Sequence, residues 1–183
     1  MSATDPQRNH DTRFEQAVLP QLDAAYNLAR WLTRNGTDAE DVVQDACERA
    51  LKYFAAFHGG DAKAWFLTIV RHACYDWLKR NRPAEIVPGD GQAIEDAPDS
   101  TTPSPEQVAM RNASAALLSE AIAALPLGYR EVLILRELED MPYREIARVV
   151  DIPIGTVMSR LARARGLLQR SPVLRAIRER AAL

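Results

Sequence analysis

The chain has 183 residues, 47% hydrophobic and 26% charged, a balance that suits one or two globular domains. A net charge of −2 argues against a protein that coats nucleic acid over its whole surface. No stretch approaches the roughly 20 apolar residues of a membrane span, so a cytoplasmic protein without membrane insertion is expected.

The opening residues MSATDPQRNHDTRF carry no apolar core of signal-peptide type and are expected to fray. A first helix follows with Val18, Leu22, Ala25, Ala29 and Leu32 on one face, and Asn35-Gly36 is expected to end it. Thr37, with Glu40 three residues on, reads as the capping box of the next helix. That helix buries Val43, Cys47, Ala50, Leu51 and Phe54 and turns Asp38, Glu40, Asp41, Asp45 and Glu48 outward. After the loop Phe57-His58-Gly59-Gly60, Asp61 is placed to cap a third helix with an apolar stripe of Phe66, Ile69, Val70, Ala73 and Trp77. This helix carries Lys63, Arg71, Lys79, Arg80 and Arg82 against the single acid Asp76.

Residues 83–110 change character, with five prolines, six acids and no lysine or arginine. Such a composition buries too little apolar surface to offset chain entropy, so an extended acidic linker is expected between domains at 12–82 and 111–171. Beyond it, Leu117, Leu118, Ala121, Ile122 and Leu125 line one helix, which Pro126-Leu127-Gly128 ends. A second apolar helix covers 129–138.

Met141–Arg170 then shows a short helix from Pro142 with Ile146, Val149 and Val150 as its stripe. Asp151-Ile152-Pro153 breaks it, and a helix resumes with Val157, Leu161, Ala164 and Leu168 inward and Ser159, Arg160, Arg163, Arg165 and Arg170 elsewhere. Short helix, tight turn and basic amphipathic helix make the helix-turn-helix pattern, whose second helix suits the major groove. Nine arginines stand against three acids from Met141 to Leu183, a basic field that includes a helical tail at 175–180. No segment alternates like a strand, and the fold class is all-α, two small helical domains joined by the linker.

Two cysteines and three histidines (His10, His58, His72) show no zinc spacing, and Cys47 and Cys74 sit at apolar helical positions as small hydrophobes. With no nucleophile–base pair or Gly-rich phosphate loop either, neither an enzyme nor a cofactor or metal protein is expected.

On these residues the chain resembles a known family. LSEAIAALPLGYREVLILRELEDMPYREIARVVDIPIGTVMSRLARAR is similar to the C-terminal promoter-binding domain of bacterial sigma factors. DAEDVVQDACERALKYFAAFHGGDAKAWFLTIVRHACYDWLKRNR resembles the N-terminal domain of their extracytoplasmic-function (ECF) type within the sigma-70 family. The resemblance implies a promoter-specificity subunit of RNA polymerase, with core RNA polymerase, promoter DNA and an anti-sigma factor, often membrane-anchored, as partners. It further implies a stress or environmental response.

Residue by residue, the resemblance implies that Asp38, Asp41, Gln44, Asp45 and Glu48 dock on the polymerase. His58, Arg71, His72, Tyr75, Asp76, Lys79, Arg80 and Arg82 would serve the −10 element, with His72, Tyr75 and Asp76 facing outward and the cations on phosphates. Trp65 and Trp77 are read as core packing. For the −35 element, Met158, Ser159, Ala162 and Arg163 would face base edges, while Tyr143, Arg144, Arg160 and Arg165 reach phosphates. Met158 and Ala162 offer only apolar contact, Arg163 can pair with guanine, and Thr156 caps or shapes the turn. The alternatives are a stand-alone helix-turn-helix regulator and a decoy that binds an anti-sigma factor.

Overall fold

The computed structural model describes residues 6–86, 108–172 and 174. It is all-α among them, with eight helices: α1 (Pro6–Val18), α2 (Leu22–Thr33), α3 (Gly36–Tyr53), α4 (Ala62–Asn81), α5 (Val108–Ala123), α6 (Leu127–Glu137), α7 (Tyr143–Val150) and α8 (Ile154–Arg170). Short 3-10 turns occupy Leu19–Gln21, Phe54–Ala56 and Pro83–Glu85. Most of the segment expected to be the linker, and the basic tail at 175–180, lie outside the described residues.

The first domain is a bundle of α2, α3 and α4 with α1 laid across α4. Its start corrects three expectations. Residues 6–13, expected to fray, belong to α1. The helix expected through Val18 and Leu32 is two, because Pro20 has no N–H for an intrahelical bond and the chain tightens into a 3-10 turn there. Finally, α2 ends on Arg34 in the left-handed region (φ 60°), one residue before the expected Asn-Gly. Asn35 is thereby released to be the N-cap of α3, and its side chain accepts from Thr37 N–H at 2.8 Å and Asp38 N–H at 3.2 Å. The Thr37–Glu40 capping box therefore does not form, since Asn35 already satisfies those donors. Asp61 does cap α4, accepting from Ala64 N–H at 3.0 Å.

In the second domain, Pro142 and Pro153 stand at the N-caps of α7 and α8. Between these helices Asp151 takes a left-handed conformation (φ 57°), which a short acidic side chain tolerates and which turns the chain sharply. Ile146, Val149 and Val150 of α7 and Val157, Leu161 and Ala164 of α8 are buried as their spacing requires. Helix α6 differs from both, because every residue from Tyr129 to Leu135 is buried, Arg130 and Glu131 included. A helix hidden on all sides is an interior helix. It packs on α7 and α8 within its own domain and on α2 of the first, while α7 packs on α4. The two cores consequently merge into one cluster, from Leu28, Phe66 and Val70 to Val132, Ile146 and Leu161.

Candidate nucleic-acid interface

Helix α8 presents Met158, Ser159, Ala162, Arg163 and Arg165 to solvent. Ile154, Met158 and Ala162, four residues apart, form an exposed apolar line along this face. Beside the line, Arg163 Nη1 donates to the Tyr129 hydroxyl at 3.4 Å, and Arg165 pairs with Glu137 at 2.6 Å. Ser159 Oγ donates to the Thr156 carbonyl at 3.0 Å, which places Thr156 in the first turn. Arg160 departs from the expected outward face. It is half-buried, with Nη1 3.5 Å from Glu131 and 3.0 Å from where a Cβ on Gly128 would stand. Below the N-terminus of α8, Arg136, Pro142, Tyr143, Arg144 and Ile154 line an open concavity of about 430 Å³. Arg144 is exposed there, and the Arg136 guanidinium lies 5.3 Å from the Tyr143 ring centre.

The −10 candidates divide into two groups. His58, His72, Lys79 and Arg80 are exposed, and His58 adjoins Gly59 and Gly60, both at positive φ (96° and 106°). Arg82 sits over Trp77, 5.5 Å from its ring centre, and 3.5 Å from Glu85. Trp77 is half-buried, and Trp65 stacks in an aromatic group with Phe54 and Phe57. Arg71 and Tyr75 belong to the junction between the domains. Arg71 Nε donates to Glu131 at 2.9 Å, and the Tyr75 hydroxyl donates to the same oxygen at 2.9 Å. Tyr75 was expected to face solvent. Instead it turns toward α6 because a buried carboxylate, with a side chain only 1% exposed, demands donors. Burial raises the Tyr75 pKa, and Glu131 adds to the shift. Burial works against the Arg71 charge, but Glu131 more than offsets it and the pKa rises. Asp76, also expected to face outward, is half exposed and tied to Arg49 at 2.7 Å.

The acidic face of α3 holds Asp41, Gln44 and Glu48 exposed and Asp38 half-buried at its N-terminal end. Asp45 pairs with Arg49 at 2.7 Å. Arg49 therefore links the acidic face to α4, a role the sequence reading missed although Asp45 and Arg49 stand at i,i+4 spacing.

Three further groups join the domains. Lys63 Nζ reaches Glu139 Oε2 at 3.2 Å and donates to its carbonyl at 2.8 Å, while Asn27 donates to Glu139 Oε1 at 3.1 Å. Glu85 takes Arg130 at 3.3 Å and Arg34 at 3.8 Å. Arg130 is buried, and burial together with the nearby Arg34 charge brings its pKa down to about 10. Cys74 is buried, and burial raises its thiol pKa. No group of three or more metal-ligating side chains, and no helix long and apolar enough to cross a membrane, occurs among the described residues.

Residues 18–84 match the family described as Sigma-70 region 2, and residues 115–168 match Sigma-70 region 4. The chain is 29% identical over 177 residues to the RNA polymerase sigma-H factor of Pseudomonas aeruginosa, covering 92% of each. It is 30% identical over 152 residues to the ECF RNA polymerase sigma-E factor of Haemophilus influenzae, covering 78% of this chain and 77% of that one. It spans 60% of the length of the ECF RNA polymerase sigma factor SigE of Mycolicibacterium smegmatis, at 28% identity over 158 residues. Among solved structures, the sigma factor RpoE in complex with the anti-sigma factor NepR from Bartonella quintana superposes with a TM-score of 0.66 at 26% identity, covering 89% of this chain and 97% of that one. CnrH, in complex with the cytosolic domain of CnrY, shares the fold with a TM-score of 0.60 at 23% identity, covering 87% and 86%.

Proposed function

The chain belongs to the extracytoplasmic-function sigma factors of the sigma-70 family, and from that premise we propose how its surfaces direct transcription initiation. The partners are core RNA polymerase, promoter DNA and an anti-sigma factor, and the work takes place in the cytoplasm, where the first two meet. The protein is the specificity subunit and supplies no chemistry of its own.

The acidic face of α3 docks on the polymerase. Asp41, Gln44 and Glu48 are exposed in a row there, and carboxylates attract an arginine-bearing partner through charge-assisted hydrogen bonds. Helix α8 enters the major groove at the −35 element. Arg163 reads a base, Ile154, Met158 and Ala162 make apolar contacts, and Arg144 and Arg165 hold phosphates. Helix α4 and the His58 loop hold the melted −10 strand. Exposed His72, Lys79 and Arg80 provide cations and a stacking ring, which offset the stacking lost on melting. Residues 12–82 and 111–171 act as the two grips, and 83–110 spans the distance between them.

The observation that carries this reading is a single one: the acidic helix face and the basic groove-sized helix sit on separate domains of one small chain. A stand-alone regulator needs the second and has no use for the first. Transcription in vitro with core polymerase and genomic DNA provides the test. New start sites that depend on the added chain are expected, and their absence would overturn the proposal.

A further inference from the structure

Helix α4, which carries the −10 candidates, is partly covered by the second domain, through Glu131 on α6 and Glu139 just beyond it. Arg71 and Tyr75 both donate to Glu131 at 2.9 Å, and Lys63 pairs with Glu139 at 3.2 Å. These three α4 side chains lie at positions 63, 71 and 75, so they share one face of the helix. Asn27 on α2 adds a bond to Glu139, and the side chains of Glu131 and Glu139 are 1% and 6% exposed. By contrast, the groove-facing residues of α8 stay open in the same arrangement.

We propose that the second domain is an internal lid on the −10 surface, with Glu131 and Glu139 occupying the cations that DNA phosphates would otherwise take. The inference rests on assigning α4 to the −10 strand. A carboxylate and a phosphate compete for the same donors, since both are anions that take charge-assisted bonds from arginine and lysine. In the closed arrangement Arg71 and Lys63 are already neutralised, so the free chain holds single-stranded DNA weakly. The −35 helix remains able to engage duplex DNA. Parting the domains leaves Glu131 with Arg160, 3.5 Å away in its own domain, while Arg71, Tyr75 and Lys63 become free for the strand. The two grips thus act in a fixed order, with the −10 surface available only to an opened molecule.

The test uses the full chain without polymerase. Glu139→Lys sets two ammonium groups against each other at the junction, and Lys63→Glu in the same chain restores an opposite-charge pair. Two quantities are read: the radius of gyration by solution scattering, and affinity for a fluorescent mixed-sequence single strand. Glu139→Lys is expected to expand the molecule and tighten single-strand binding about tenfold, and the double variant to return to the compact radius. Glu120→Lys makes the same charge change at an exposed site on α5 and is expected to alter neither. An unchanged radius in Glu139→Lys would overturn the lid, as would expansion without tighter binding. Equal tightening by Glu120→Lys would reduce the effect to bulk charge and overturn it too. Asn27→Asp, which faces Glu139 with a like charge, gives a second opening variant with the same expectation. Promoter-dependent initiation by the wild-type chain with core polymerase is scored separately, and its failure would remove the functional reading whatever the radius shows.

Discussion

Arg49 on α3 donates to Asp76 on α4 across 2.7 Å, and its other terminal nitrogen pairs with Asp45, also at 2.7 Å. One guanidinium therefore joins the acidic face to the helix assigned to the −10 strand, and it holds the Asp76 carboxyl below its ordinary pKa through that hydrogen bond.

Arg49→Ala is expected to cost only about 0.2–1 kcal/mol in a urea titration at neutral pH, because both partners are largely exposed and solvent screens the pair. A depressed carboxylate pKa stabilises the fold above the unfolded value, and the benefit is lost as pH falls through the folded value. The difference between wild type and variant should therefore close at about pH 3. A difference that persists there would place the effect in packing.

Asp41→Arg reverses charge at the centre of the exposed acidic row. Core-polymerase capture should be lost while the melting temperature stays within about 3 °C, since exposed charges contribute little to stability. Retained capture would move the docking face elsewhere.

Arg163→Ala should relax base preference in the −35 element at a cost of about 1–3 kcal/mol, measured as selection from a randomised duplex library. Uniform weakening on all sequences would make Arg163 a phosphate contact.

Replacing thymine by deoxyuridine in the −35 element removes only the 5-methyl group. If the apolar line of Ile154, Met158 and Ala162 meets such methyls, each affected position should lose about 0.8 kcal/mol, roughly fourfold in affinity. Met158→Ala should abolish the distinction at its own position, and competition binding of the two duplexes measures it.

The acidic face, the helix-turn-helix and the Asp61 cap were legible because each depends on local spacing. Where two local signals competed, the outcome was less legible. Asn35 and Thr37 both offered a cap, and Arg34 settled it by taking a left-handed conformation usually left to glycine. The junction was not legible at all. Arg71 and Tyr75 carry no mark of facing a carboxylate sixty residues away in sequence. A clue lay in Val132–Leu135, four consecutive apolar residues that a one-sided helix would not carry. That run implies partners on every side of α6, and hence that Arg130 and Glu131 must find theirs inside.

Glu131 serves two masters, since Arg160 holds it within its own domain and Arg71 claims it from the other. A change there disturbs the integrity of the helix-turn-helix along with the junction, so variation at this site is doubly penalised. Glu139 and Lys63 have no such second duty among the described ion pairs. The balance between closed and open molecules can thus drift through peripheral pairs like this one without touching the machinery, which gives related chains a route to different resting activities on the same scaffold.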